Sequence, residues 1–321
     1  MRHGHTHAAL VVEELGRPPV LRRVNRPDPA AGGALVRLRA AGLNPADLAI
    51  GAGRFYLPLP DPPFVAGCEA VGEVIRSGRH PEGARVWCLQ PTGCFAEVFT
   101  CPEDALVPVP DGVSDAVAVA MGVAGLAGWM PVRDRGALRA GETVLVLGAG
   151  GVVGRVAVQA ARAGGAARVV AGVRSEAGDA VARAAGADEV VRLGGDGDAA
   201  AFRRAAPDGV DLVVDTLWGA PLVAALGALA PRARIVQVGS GAGAEAAFPA
   251  GPLRGGRIDI RGFSVFSERP GDLARAYIEA ASAAARGEVR VDTAEVPLAD
   301  GPAAWARLAA GTSGVKVVLT A

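Results

Sequence analysis

Residues 147–154 decide the fold, and they read Leu-Gly-Ala-Gly-Gly-Val-Val-Gly. Residues 143–147 lead into them with Thr-Val-Leu-Val-Leu, a continuous apolar run that is typical of a strand covered on both faces. Residues 152–163 follow with an apolar, Ala-rich pattern that predicts a helix. A glycine-rich turn that joins a strand to a helix is the arrangement that binds the diphosphate of a dinucleotide.

The glycines of this turn match the dinucleotide-binding pattern in the register Ala149-x-Gly151-x-x-Gly154, with alanine in the first position. We expect Gly151 to let the backbone approach the diphosphate, and Gly154 to let the helix pack closely on the sheet. Free N–H groups and the positive end of the dipole at the start of the helix would hold the phosphates. The contacts predicted in this turn are Ala149, Gly150, Gly151, Val152, Val153 and Gly154.

Apolar strand-like and Ala-rich helix-like segments alternate after this turn. The spacing predicts right-handed crossovers and a parallel, doubly wound sheet, so residues 119–261 are predicted to form a Rossmann dinucleotide-binding domain. Further strands are predicted at 168–173, 189–191, 211–215 and 234–238, and further helices at 176–185, 199–206 and 220–229.

The two ends of the chain have a different texture. Between residues 8 and 118, short apolar segments are separated by Gly and Pro, which predicts a small, closed β domain. We expect the tail, residues 262–321, to rejoin this domain, because a terminal strand is best satisfied by pairing with an existing sheet. Residues 1–7 are polar and His-rich and are predicted to be a flexible leader. Towards the C-terminus, strands are predicted at 260–265, 289–291 and 315–319, and helices at 272–285 and 301–310.

The end of the second strand of the Rossmann domain distinguishes between nicotinamide cofactors. An acidic residue there would bind the ribose 2′-hydroxyl of NAD, but the chain reads Arg174-Ser175. A guanidinium pairs with a 2′-phosphate through two hydrogen bonds, so we predict NADPH, with Arg174, Ser175 and Arg192 as contacts. A solvated surface arginine is the alternative for Arg174. Gly239 and Ser240 follow the fifth strand and are predicted to contact the nicotinamide side.

Composition excludes several classes of function. The 321 residues include 33 basic and 33 acidic side chains, so no overall charge attracts the chain to nucleic acid or to an anionic membrane. Aromatic residues make up only 4%, which argues against a stacking platform for single-stranded nucleic acid. No uninterrupted apolar segment reaches the ~18 residues of a membrane span. We expect a cytoplasmic protein whose four cysteines are reduced.

Besides the glycine turn, four segments of the chain are distinctive: residues 41–47 (AGLNPAD), 63–74 (PFVAGCEAVGEV), 83–86 (GARV) and 93–97 (GCFAE). With these residues identified, the chain resembles the medium-chain dehydrogenase/reductase superfamily over nearly its whole length. The resemblance implies an α/β protein in which a GroES-like β domain, built from both chain ends, accompanies a Rossmann cofactor domain. It also suggests a homodimer, formed by edge pairing of the strand at 260–265 across a two-fold axis.

The resemblance also implies where the alcohol dehydrogenase branch of this superfamily would bind a catalytic zinc. The positions of its three ligands are taken here by Asn44, Cys68 and Val123. One soft ligand out of three cannot hold zinc, so we predict no metal. The branch without zinc includes quinone oxidoreductases and enoyl reductases, and its Asn-Pro-x-Asp element matches residues 44–47.

Without a metal, the implied reaction is hydride transfer from NADPH to a quinone or to an α,β-unsaturated carbonyl compound. Charge that develops on the carbonyl oxygen needs a positioned donor, and Asn44 and Tyr56 are the predicted catalytic residues. Asn44 has the alternative of capping the local backbone, and Tyr56 that of packing at the rim of the substrate pocket. The alternative functions are a metal-less carbonyl or alcohol dehydrogenase-type reductase and a non-catalytic NADPH-binding protein.

Overall fold

The computed structural model describes residues 6–311 and 315–321. Most of the flexible leader predicted at 1–7 therefore lies outside the described residues. Its last two residues, Thr6 and His7, belong to the first strand, and the side chain of His7 is buried. The leader prediction is wrong for these two residues because their backbone pairs with the second strand of the chain.

The chain divides into two compact units, which are described separately. The predicted changes of domain, after residues 118 and 261, lie a few residues earlier in the sequence than the observed ones. The second unit comprises Ala124–Ser267 and Glu288–Arg290, and the first comprises the residues up to Val123, Glu268–Gly287 and Val291–Ala321.

The first unit is rich in β-structure. Its strands are β1 (Thr6–Val12), β2 (Val20–Asn25), β3 (Gly33–Gly42), β4 (Phe64–Val65), β5 (Glu69–Arg76), β6 (Arg85–Leu89), β7 (Val98–Pro102) and β8 (Leu106–Pro108), with β15 (Thr293–Pro297) and β16 (Lys316–Thr320) from the tail. Its helices are α1 (Pro45–Gly51), α2 (Asp115–Ala120), α9 (Pro270–Ala285) and α10 (Gly301–Ala309).

The C-terminal strand completes a sheet of the first unit. Over the described residues, a seven-stranded sheet follows the order β15-β16-β3-β5-β6-β8, with β7 paired to β3, and a three-stranded sheet follows β2-β1-β4. β16 pairs antiparallel with β3, and Val318 lies opposite Gly42. The expectation that the tail rejoins the N-terminal sheet is therefore confirmed.

The second unit alternates strands and helices, as its sequence pattern predicts. Its strands are β9 (Thr143–Leu147), β10 (Arg168–Val173), β11 (Glu189–Arg192), β12 (Val210–Asp215), β13 (Leu229–Gln237) and β14 (Asp259–Gly262). Its helices are α3 (Val123–Met130), which begins at the last residue of the first unit, α4 (Val152–Ala163), α5 (Glu176–Ala184), α6 (Asp198–Ala205), α7 (Gly219–Ala225) and α8 (Ala250–Gly256).

The strands of the second unit form a parallel sheet in the order β11-β10-β9-β12-β13-β14. The order reverses between β9 and β12, which is the switch point of a doubly wound fold and the place where its ligands bind. Residues 144–147 of β9 have no exposed surface, so this strand is covered on both faces as its apolar run predicts. The sheet therefore sets the glycine turn after β9 at the switch point.

Two predicted strands of the C-terminal part are displaced. No strand forms at 289–291, because the side chain of Gln159 takes up both backbone groups of Arg290, accepting its N–H at 2.8 Å and donating to its carbonyl oxygen at 3.0 Å. The strand predicted at 260–265 is Asp259–Gly262, and a turn of 3₁₀ helix follows at Val265–Ser267. No helix in the described parts of the chain is long and apolar enough to cross a membrane.

Candidate cofactor site and buried polar network

The glycine turn joins β9 to α4, and two of its glycines are required by the turn itself. Gly148 has a left-handed φ of +86°, and a Cβ on it would lie 2.2 Å from Oγ1 of Thr216. A Cβ on Gly154 would lie 2.3 Å from the Gly148 carbonyl oxygen and 2.6 Å from the Cα of Ala149. The first turn of α4 therefore packs directly on the backbone of the glycine turn, which only glycine permits at position 154.

Gly151 differs from these two because the turn does not require it. Its φ of −86° is ordinary, and the nearest neighbour of a Cβ there would be the Gly148 carbonyl oxygen at 3.5 Å. As the N-cap of α4, Gly151 offers no side chain to the N–H groups at the start of the helix, which have no acceptor within it. These donors belong to Val152, Val153 and Gly154. An anionic group can reach them over Gly151, so the residues fit the diphosphate of a dinucleotide.

The start of α5 lies against the same turn. A Cβ on Gly150 would lie 3.1 Å from the Cα of Gly178, so the two backbone segments approach closely. Ser175 is the N-cap of α5, and its Oγ accepts a hydrogen bond from the Gly178 N–H at 3.1 Å. That bond uses an oxygen lone pair and not the hydroxyl hydrogen. Arg174, one residue earlier, is exposed.

The other predicted cofactor residues lie at the same carboxyl edge of the sheet. Arg192 ends β11, is exposed, and stands opposite Val173 at the end of β10. Gly239 and Ser240 follow β13, and a Cβ on Gly239 would lie 2.9 Å from the carbonyl oxygen of Thr216, which follows β12. The structure therefore brings the glycine turn, the two arginines and the Gly-Ser pair to one edge.

A buried polar network surrounds Asn44 in the first unit. The residue is 2% exposed, and its backbone N–H donates to Oδ2 of Asp47 at 2.7 Å. Its Nδ2 donates to the Gly42 carbonyl oxygen and to Oε1 of Glu69, both at 2.8 Å. Its Oδ1 accepts from Nζ of Lys316 at 2.5 Å. The donors and the acceptor of the Asn44 amide are therefore already engaged within the protein.

Glu69 is the centre of this network and has no exposed surface. Besides Asn44, its Oε1 accepts from Nζ of Lys316 at 3.0 Å. Its Oε2 accepts from Nε1 of Trp87 at 3.1 Å and from the backbone N–H of Val123 at 2.7 Å. Four donors, one of them an ammonium group, compensate the cost of burying this carboxylate.

Sequence reasoning missed both charged members of the network. The available signal was composition, because Lys316 is the only lysine among the 33 basic residues. The three positions that the resemblance assigns to zinc ligands lie around Glu69: Nδ2 of Asn44 is 3.6 Å from Sγ of Cys68, and Val123 contributes only its backbone. In residues 6–311 and 315–321, no three His, Cys, Asp or Glu side chains are grouped to hold a metal ion.

Two further groups of the first unit are titratable and fully buried beside Asn44. Burial raises the pKa of Asp47 to about 6, although hydrogen bonds from the Asn44 backbone N–H and from the Cys68 side chain oppose the shift. Burial, together with the nearby Asp47 and Glu69 carboxylates, raises the pKa of the Cys68 thiol well above its usual value. Cys68 is therefore a neutral thiol at physiological pH.

Asp47 is expected to make the stability of the chain fall as pH rises from 4 to 7. Its folded-state pKa is raised, so the folded state binds more protons than the unfolded state between about pH 4 and pH 6, and unfolding becomes easier as they are lost. The expected contribution is about 3 kcal/mol, from the shift of roughly two pKa units. Urea unfolding at several pH values, compared between the unaltered chain and Asp47→Asn, isolates this contribution; identical pH slopes would contradict it.

The second predicted catalytic residue, Tyr56, lies on the surface of the first unit. It is 61% exposed, and its ring centroid is 4.4 Å from that of Phe55. The four cysteines are buried and free, and the sulfur atoms of Cys88 and Cys94 are 3.8 Å apart.

Two family models and a curated relative match the sequence of this chain. Residues 152–283 match the family model described as zinc-binding dehydrogenase, and residues 30–111 match the alcohol dehydrogenase GroES-like domain. The chain is 31% identical over 239 residues to prostaglandin reductase-3 of Bos taurus, an overlap of 73% of this chain but only 62% of that protein. The chain therefore spans less than two thirds of the length of this curated relative.

Two solved structures cover nearly the whole chain. A mycobacterial quinone oxidoreductase has a TM-score of 0.88 at 27% identity, and a mycobacterial protein in complex with NADPH has a TM-score of 0.85 at 27% identity. Each comparison covers 98% of this chain and 100% of the other. The predicted fold class, a GroES-like β domain with a Rossmann domain, is confirmed. The chain belongs to the medium-chain dehydrogenase/reductase superfamily, in the branch of quinone oxidoreductases and enoyl reductases.

Proposed function

We propose that this chain is an NADPH-dependent, zinc-independent oxidoreductase that reduces a quinone or an α,β-unsaturated carbonyl compound. The observation that carries the proposal is Gly151, a glycine that the turn does not need but that an approaching diphosphate does. The solved relatives, a quinone oxidoreductase and an NADPH complex, support the same cofactor and the same class of acceptor.

The chain's own residues bind and orient the cofactor, and NADPH supplies the hydride when bound. The N–H groups at the start of α4 hold the diphosphate. Arg174 and Arg192 provide positive charge for the 2′-phosphate, with the Ser175 hydroxyl as a further donor. Gly239 and Ser240 line the nicotinamide side of the carboxyl edge.

Zinc independence is proposed from the donors at the three positions that the resemblance assigns to ligands. Asn44 uses its amide within the network, Cys68 is a buried neutral thiol, and Val123 has an apolar side chain. A catalytic zinc needs three protein ligands, and this set offers a single sulfur. Negative charge on the acceptor oxygen must then be stabilised by hydrogen-bond donors.

Tyr56 is the proposed proton donor, since its exposed side chain leaves it accessible to a substrate. The hydrogen-bonding groups of the Asn44 amide are already engaged within the protein, which favours a positioning role over direct contact with the acceptor. Through Lys316 and Glu69 it fixes the backbone at the start of α1.

The proposed function is tested by following the nicotinamide absorbance of NADPH with three acceptors: a quinone, a simple enone and a saturated ketone. We expect turnover with the quinone or the enone and none with the ketone, unchanged after dialysis against a chelator. Turnover with the ketone alone would favour a carbonyl reductase. NADPH binding without turnover of any acceptor would favour a non-catalytic NADPH-binding protein.

Replacing Arg174 with alanine is expected to weaken NADPH binding about tenfold and to leave NADH binding unchanged. The reason is the loss of a charge-assisted hydrogen bond to the 2′-phosphate, worth roughly 1.5–3 kcal/mol before solvent screening at this exposed position. Calorimetric titration with both nucleotides measures the effect. Arg183→Ala, at an exposed position later in α5, is the matched control. Equal losses for NADPH and NADH would contradict the assignment.

We further propose a homodimer formed through the free edge of β14. Among the described strands, β14 ends its sheet, and Ile260 in it is 42% exposed. Ile260→Lys is expected to shift the chain from dimer to monomer in light scattering, because a charge at a paired edge opposes association. Leu21→Lys, at a similarly exposed apolar position of the edge strand β2, should have no effect. A dimer that survives Ile260→Lys would contradict the assignment of this edge.

A further inference from the structure

Trp218 has a backbone conformation that residues other than glycine almost never adopt. Its φ is +58° and its ψ is −171°, at the edge of a region that is essentially restricted to glycine. A side chain persists there only where the surrounding structure fixes it, and such residues cluster at ligand sites. Trp218 lies three residues after β12, at the carboxyl edge of the sheet.

The conformation of Trp218 is fixed by a buried carboxylate. Asp215, the last residue of β12, has no exposed surface. Its Oδ1 accepts the backbone N–H of Leu217 at 2.9 Å and that of Trp218 at 3.0 Å. The following residue, Gly219, also has a left-handed φ, of +64°. The turn at 215–219 is thus held in one shape from within.

The indole of Trp218 packs on Phe248, with ring centroids 5.3 Å apart and planes inclined by 59°. Both rings are half-buried and contact the apolar core of the second unit. Phe248 lies near the end of the loop 239–249, which begins with Gly239 and Ser240. The aromatic pair therefore fixes the end of this loop. The start of the loop contains the two predicted cofactor contacts.

The backbone of the same loop is tied to the 215–219 turn. The N–H of Gly241 donates to the Thr216 carbonyl oxygen at 3.1 Å, and that of Ala242 donates to the Leu217 carbonyl oxygen at 2.7 Å. Loop 239–249 is consequently attached to the turn by hydrogen bonds at its start and by the ring contact at its end.

This pair of segments lies beside the glycine turn. β12 pairs with β9 so that Asp215 stands opposite Leu147, and a Cβ on Gly148 would strike the side chain of Thr216. In a doubly wound fold, the two halves of a dinucleotide lie on the two sides of the switch point. Arg174, after β10, belongs to the adenosine side, so the turn after β12 and the loop after β13 belong to the nicotinamide side.

We propose that Trp218 is a positioning residue. Its contact with Phe248 holds the loop 239–249 in the conformation that receives the nicotinamide half of the cofactor. The proposal rests on the proposed function, since it requires that the chain bind a nicotinamide dinucleotide. It assigns a use to a strained tryptophan that the binding of the diphosphate does not explain. The strain is retained because the indole anchors the loop.

The test compares two ligands by calorimetric titration: NADPH, and adenosine 2′,5′-bisphosphate, which lacks the nicotinamide half. The variants are Trp218→Gly, which removes the ring and suits the backbone conformation, Phe248→Ala, and the two combined. We expect each single variant to weaken NADPH binding about tenfold, as the loss of an aromatic pair allows, and to leave binding of the bisphosphate within twofold. Trp218→Phe should retain most of the NADPH affinity.

The combined variant should lose no more affinity than the larger single loss, because both changes break one contact. Equal weakening of both ligands would show a merely structural role and would overturn the proposal, as would unchanged NADPH binding in the single variants. If the unaltered chain binds neither ligand, the proposed function itself fails, and the positioning role of Trp218 fails with it. If the unaltered chain binds both ligands but the variants do not change NADPH binding relative to bisphosphate binding, only the positioning role of Trp218 is wrong.

Discussion

Replacing Lys316 with methionine is expected to lower the free energy of unfolding by about 3–5 kcal/mol. The substitution keeps the length and apolar part of the side chain but removes the ammonium group. Glu69 would then remain fully buried, with three hydrogen-bond donors and no counter-charge. Breaking a buried ion pair from one side is costly because the remaining charge stays desolvated. Urea unfolding at neutral pH measures the loss.

Two controls separate this effect from a general loss of a cation. Arg183→Met removes an exposed ion pair with Asp179 on one face of α5 and should cost about 0.5 kcal/mol or less. Adding Glu69→Gln to Lys316→Met should recover part of the loss, because a neutral amide needs no counter-charge. A cost below about 1 kcal/mol for Lys316→Met would contradict the assigned role of the pair.

The choice of lysine at this one position follows from the shape of its surroundings. The ammonium group has three hydrogens and donates to three oxygens, which belong to Leu43, Asn44 and Glu69. A Cβ on Gly42 would lie 2.9 Å from Nζ, so the backbone passes close to the charge. A planar guanidinium is broader and presents its donors in a fork, which explains why an arginine-rich chain retains one lysine here.

Features that depend on neighbours in sequence could be predicted for this chain. The run at 143–147 and the glycines after it fix β9, the turn and α4 through local periodicity and backbone conformation. The pairing of the tail with β3 followed from the need of a terminal strand for a partner. These predictions succeeded because each required only residues close together in the chain or one general rule.

Features that depend on distant contacts could not be predicted. Glu69 and Lys316 are separated by 247 positions, and neither belongs to a local sequence pattern that predicts the ion pair. Arg290 stays out of a sheet because of Gln159, 131 positions away. The Asn44 side chain likewise has its partners Cys68, Glu69 and Lys316 in distant parts of the first unit. Burial of polar groups is decided by such tertiary partners.

Gly151→Val and Gly154→Val are expected to have opposite signatures, although the two residues are three positions apart. At Gly151 the structure leaves room for a side chain, with the nearest atom 3.5 Å from a Cβ, so the stability of the chain should change little. Nucleotide binding should weaken by roughly 10- to 100-fold, because the valine keeps the phosphates from the N–H donors of α4 and removes charge-assisted hydrogen bonds.

At Gly154 the added side chain would meet backbone atoms at 2.3 and 2.6 Å, so the helix must move away from the turn. We expect a loss of about 1–3 kcal/mol in the free energy of unfolding, as for other overpacked sites, together with the loss of nucleotide binding. Thermal unfolding without nucleotide and calorimetric titration with NADPH distinguish the two variants. If Gly151→Val unfolds as easily as Gly154→Val, the turn needs both glycines for its own shape, and Gly151 is no evidence for a ligand. A Gly151→Val variant that is stable but no longer binds NADPH shows instead that glycine is required at position 151 for cofactor binding.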